Sequence, residues 1–91
     1  MIKGTTTSGF DFSIVDTLGD DFEFLELSVR ADKGDIAVLP DLILRMLGLA
    51  QKNALMKHCT VDGRVSTERI MMEATDIFRV IREHGESAEK N

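Results

Sequence analysis

The 91-residue sequence has no tryptophan, no tyrosine, one proline and one cysteine. A lone Cys59 excludes an internal disulfide. With only five phenylalanines as aromatics, a core has to be built from aliphatic side chains and methionine, which favours packed helices. Positive charge is also short: eleven Lys and Arg stand against sixteen Asp and Glu, a formal net charge of −5. That leaves no basic face for a phosphate backbone, so nucleic acid is not an expected ligand. Hydrophobic runs fall far below the roughly 18 residues of a membrane span, and MIKGTTTSG lacks the apolar stretch of a signal peptide. No membrane association is expected, and a cytoplasmic setting follows.

Hydrophobic residues make up 43% of the chain, enough for one core. A domain of this length buries only about 60–65% of its unfolded surface, so partners are expected to contribute to its stability. The organisation expected is a flexible, polar N-terminus over residues 1–9, a single helical domain over 10–85 and a polar tail over 86–91. The fold class is mainly α: a small bundle of about four helices with a short N-terminal extended arm or strand.

The arm is FDFSIV, Phe10 to Val15, where Phe10, Phe12 and Ile14 alternate with Asp11 and Ser13 in the period of a half-buried strand. One short strand cannot stand alone, so it must lie on helices, pair with another segment or add to a partner. Asp20 to Asp32, DDFEFLELSVRAD, reads both ways: its residues favour helix, yet Leu25, Leu27 and Val29 alternate as in a strand. As a helix it is apolar on two sides. Phe22, Leu25 and Val29 share one face, and Phe24, Leu27 and Ala31 lie nearly opposite. Such a helix is either central in its fold or shared with another subunit.

Asp35 can cap a short turn, and Pro40 suits the start of the next helix, DLILRMLG, with Leu39, Leu42, Ile43, Met46 and Leu47 at helical spacing and Gly48 as its stop. A third helix is expected from Leu49 to His58, with Ala54, Leu55 and Cys59 inward. This helix pair resembles a DNA-binding helix-turn-helix in outline only, since Gln51, Lys52, Asn53 and Lys57 offer few cations. The last helix runs from Thr67 to His84, with Ile70, Ala74, Ile77, Phe78 and Ile81 in one stripe and Gly85 as its end. Solvated ion pairs are expected between Arg69 and Glu73, Asp76 and Arg79, and Arg79 and Glu83.

TVDGRVSTERI, Thr60 to Ile70, has the look of a calcium loop. Placing Gly63 at the sixth position of an EF-hand puts His58 at the first, Thr60 at the third, Asp62 at the fifth and Arg69 at the twelfth. One carboxylate and a guanidinium do not hold Ca²⁺. The stretch reads instead as a turn at Asp62-Gly63, an N-cap at Ser66 and a hydrophobic staple between Val65 and Ile70.

Catalytic candidates are few. His58 and Cys59 are neighbours in sequence, so on a helix they sit about 100° apart and do not pair. No carboxylates stand at metal spacing with His or Cys, and there is no glycine-rich phosphate loop. The chain is expected not to be an enzyme, with no catalytic, cofactor-binding or metal-binding residue.

The order of the FDF strand, DDFEFLELSVRADKGD, LPDLILRMLG, AQKNALMKHC and DGRVSTERIMMEATDIFRVI resembles the small tail-assembly chaperones of phages and prophages of Gram-positive bacteria, over about Phe10 to Ile81. The resemblance implies a non-enzymatic assembly factor in the host bacterial cytoplasm that attends the tape-measure or tail-tube proteins. Self-association into a homo-oligomer is also expected. Phe10, Phe12, Phe24, Leu27 and Met72 are the expected partner-binding residues, with the FDF arm, the two-sided apolar segment and the peripheral methionines providing the contact. The alternative is a small acidic regulatory adaptor that binds one protein partner.

Overall fold

Ile2 and Gly4 share one strand face, as do Phe12 and Ile14, and in the computed structural model the two segments pair. Strands β1 (Ile2–Thr5) and β2 (Asp11–Ile14) form an antiparallel hairpin with Ile2 opposite Ile14 and Gly4 opposite Phe12. The structure describes residues 1–89, with side chains as far as His84. The connection turns tightly: the Thr6 amide donates to the Phe10 carbonyl at 2.9 Å, and the Phe10 amide donates to Thr6 Oγ1 at 3.0 Å. The outer edge of β2 is closed by one side chain. Gln51 accepts from the Ser13 amide at 2.8 Å and donates to the Ser13 carbonyl at 2.7 Å, standing where a third strand would pair.

A 3-10 turn, Asp16–Asp20, buries Leu18 and leads to helix α1 (Phe22–Asp32). Asp21 caps α1 by accepting from the Phe24 amide at 3.1 Å. Asp35 opens a second 3-10 turn, Ile36–Val38, by accepting from Ala37. Helix α2 (Leu39–His58) follows, with Pro40 in its first turn, where the missing N–H costs nothing. Leu42, Ile43, Met46, Leu47 and Leu55 make it the most buried helix.

At the end of α2 the chain forms a second small hairpin, β3 (Thr60–Val61) with β4 (Arg64–Val65). Asp62 and Gly63 connect them with φ of 52° and 82°, the two positive values that a type I′ turn requires. Helix α3 (Thr67–Glu89) starts at Ser66, whose hydroxyl accepts from the Arg69 amide at 3.2 Å. Val65 and Ile70 line the same apolar groove, as a staple would place them.

The fold differs from the expected bundle of about four helices. It holds three α-helices and two small antiparallel sheets among the described residues. Residues 1–9, expected as a flexible polar N-terminus, carry β1 and the connecting loop, with Ile2 and Thr6 buried. The two expected central helices are one interrupted element: α2 passes through Gly48, where φ is 80° and ψ is 166°. That conformation lies outside the helical region and is open essentially to glycine alone, so the first helical run stops at Gly48 as expected and the second follows it at once, the two making one kinked element. Ala54 is exposed, while Leu55 and Cys59 are buried as expected. Helix α3 continues past Gly85 to Glu89; residues 90 and 91 of the expected tail lie outside the described residues, and nothing is described of the side chains from 85 on.

Candidate interaction surface

Phe22, Leu25 and Val29 lie at i, i+3 and i+7 on α1, and Phe24, Leu27 and Ala31 lie across the helix from them. Only one set can face the core. Phe24 is 9% exposed and stacks on Phe78 of α3, with ring centroids 5.8 Å apart and planes inclined by 19°. Leu27 and Ala31 pack beside it, half-buried. The other face is therefore turned out, with Phe22 72% exposed, Leu25 55% and Val29 43%. Three large apolar side chains on adjacent turns thus form an exposed ridge along one face of α1, of the kind that marks a protein-contact surface when it is covered by a partner.

The flank of the ridge toward α2 is acidic. Arg45 Nε bonds Asp21 Oδ2 at 2.7 Å, its Nη2 bonds Asp21 Oδ1 at 3.2 Å, and Nη1 lies 3.4 Å from Glu23. The guanidinium bonded to it holds the Asp21 carboxyl below the usual carboxylate range. Arg30 is bonded to Asp35 at 2.9 Å. Glu26 and Asp41 line the same cleft, about 690 Å³, and neither has a cation within 4 Å among the described residues. A second depression of about 340 Å³ lies between α2 and the start of α3. It is lined by Ile36, Leu39, Ile43, Met56, Val65 and Ile70, with Lys52 as its one charge.

The expected partner-binding residues are divided by the fold. Phe10, Phe12 and Phe24 are buried in the core, and Leu27 packs against it. Their side chains hold the molecule together. Met72 is 62% exposed on α3, in a different cleft, beside His58 and Glu73. The five residues do not make one surface. The exposed ridge was visible in the sequence as the other face of the two-sided helix, but periodicity alone does not say which face the protein buries.

A polar cluster is the second candidate, and it was not legible in sequence. Glu73, expected to pair with Arg69 in solvent, is buried under the N-terminal loop. Its Oε1 accepts from Thr6 Oγ1 at 2.8 Å and from Ser8 Oγ at 2.7 Å, and Ser8 Oγ lies 2.8 Å from His58 Nε2. A serine, a histidine and a carboxylate thus meet, but a hydroxyl has one hydrogen. With that hydrogen given to Glu73, His58 Nε2 is the donor to Ser8 and presents no lone pair for a serine proton. A nucleophilic serine needs the reverse. The cluster instead ties the loop to α2 and α3, helped by the Thr7 amide donating to Asp76 at 2.8 Å. That bond holds the Asp76 carboxyl below its usual range. Beside the cluster, burial pushes the Cys59 thiol upward, away from the thiolate that reactivity needs.

Among the described residues no group of three His, Cys, Asp or Glu is placed to hold a metal ion, and no helix is long and apolar enough to cross a membrane. No protein-family model, curated protein or solved structure matches the chain.

Proposed function

We propose that this protein is a non-enzymatic binding module that covers an apolar segment of a protein partner, in the manner of the tail-assembly chaperones that its sequence resembles. The observation that carries the reading is the bare ridge of Phe22, Leu25 and Val29 on a helix whose opposite face is already committed to the core. A tape-measure protein is a long chain with apolar helical stripes, and such a stripe stays soluble when an acidic partner covers it. On this reading the ridge provides the contact, the net charge of −5 provides solubility, and the host bacterial cytoplasm is the setting.

The test is co-expression with the neighbouring reading frames of the same genome. The wild-type protein should raise the soluble fraction of a long, helical, repeat-like neighbour. The double variant Phe22→Ser, Leu25→Ser, folded by circular dichroism, should not. If no neighbour is made more soluble and one unrelated partner binds the ridge instead, the protein is a regulatory adaptor. If the double variant works as well as the wild type, the ridge is not the contact surface.

A further inference from the structure

We infer that the partner of the α1 ridge is a cationic amphipathic helix, one that sets an apolar stripe on Phe22, Leu25 and Val29 and places Lys or Arg beside it. The inference rests on the protein-binding reading above and names the chemistry of what binds. The spacing i, i+3, i+7 spans two turns, about 10 Å, and is the seam on which a second helix packs with its own apolar residues every three or four positions. An extended strand would match it poorly, since its side chains alternate every two residues.

The charge around the ridge selects the partner. Between Asp20 and Arg45 the chain carries seven carboxylates and three cations, so this segment holds a charge of −4 out of the −5 of the whole. Arg45 is taken up by Asp21 and Glu23, and Arg30 by Asp35; Lys33, at the C-cap of α1, is the third cation and has no carboxylate within 4 Å among the described residues. Asp20, Glu26, Asp32 and Asp41 have no cation within 4 Å among the described residues. By helical period Glu26 and Asp32 border the ridge on opposite sides, the positions that face the flanking charges of a packed partner helix. A partner with Lys or Arg there gains on both sides. A second copy laid on the same ridge brings like charges together, and an anionic membrane is repelled for the same reason.

The experiment titrates the full-length protein with two designed 21-residue helical peptides that share one leucine stripe. One has Lys and the other Glu at the flanking positions. The Lys peptide should bind, with affinity that falls as salt rises from 50 to 200 mM, and the Glu peptide should bind at least about tenfold more weakly. Phe22→Ser with Leu25→Ser should cost the Lys peptide about tenfold or more, which separates seam binding from diffuse attraction. Glu26→Lys with Asp32→Lys should invert the preference. Equal binding of both peptides, or a preference for Glu, overturns the charge assignment while leaving the ridge a protein-binding surface. Self-association that the serine double variant abolishes would make the ridge an interface between copies, and binding to anionic vesicles in place of peptide would make it a lipid surface. Either result overturns the proposal. Lys-peptide binding that survives the serine double variant refutes the ridge itself, and with it the reading on which the inference rests.

Discussion

Phe24 lies flat against Phe78, 5.8 Å between ring centroids, and this contact decides which of the two apolar faces of α1 is core. A stacked pair across two helices fixes the rotation of α1 about its own axis. Phe22, Leu25 and Val29 are left outward as a consequence.

Truncating the two faces should therefore have opposite results. Phe24→Ala opens a cavity at a stacked core site and should lower the stability by about 3–5 kcal/mol in chemical denaturation. Phe22→Ser should change it by no more than about 0.5 kcal/mol, since the side chain is already in water. Equal losses would mean that the helix is rotated from the orientation described.

Gln51→Ala removes a side chain that bonds both backbone groups of Ser13. The expected cost is about 1–3 kcal/mol, because the Ser13 amide and carbonyl lose their partners together. Hydrogen exchange should accelerate at the Ser13 amide first. An unchanged exchange rate there would show that the strand edge does not depend on Gln51.

The loop that docks on α3 should loosen in acid. Asp76 accepts from the Thr7 amide and its folded pKa lies below the ordinary value of 3.8, so its contribution is fully present above that value. It is lost as pH falls through the folded value. Asp21, held down by Arg45, acts in the same direction and window. Melting temperature should drop below about pH 4, and Asp76→Asn should make that drop shallower. An equally steep acid limb in the variant would remove Asp76 from the account.

Gly48→Ala places a Cβ where φ is 80° and ψ is 166°. No neighbouring atom obstructs that Cβ, so the cost is backbone strain alone, about 1–3 kcal/mol. Relief of the strain by straightening α2 would displace Leu49 and appear in the amide spectrum of residues 46–51. A neutral or stabilising substitution would mean that the kink is not maintained in solution.

The parts of the fold that local chemistry governs were readable from residues. Asp62-Gly63 demanded a turn with positive φ, Ser66 supplied a cap, Pro40 sat in a first helical turn and the stripe from Ile70 to Ile77 turned inward. Each of these depends on atoms within a few positions in the chain. Strand β1 was not readable, because IKGT has one apolar side chain and a glycine, and its strand character comes from pairing with β2 and packing on α3. Glu73 was misplaced for a related reason: helical spacing offered it Arg69, but the hydroxyls of Thr6 and Ser8, more than sixty positions away, bury it.

The sequence by itself determined that α1 has two apolar faces, that acid exceeds base around it, and that no disulfide within the chain assists the core. Which face is available to a partner was decided only by tertiary structure. A period of 3.6 residues defines stripes around a helix but gives none of them a direction. The direction came from Phe78, a residue on another helix, whose ring offered Phe24 more buried contact than solvent could.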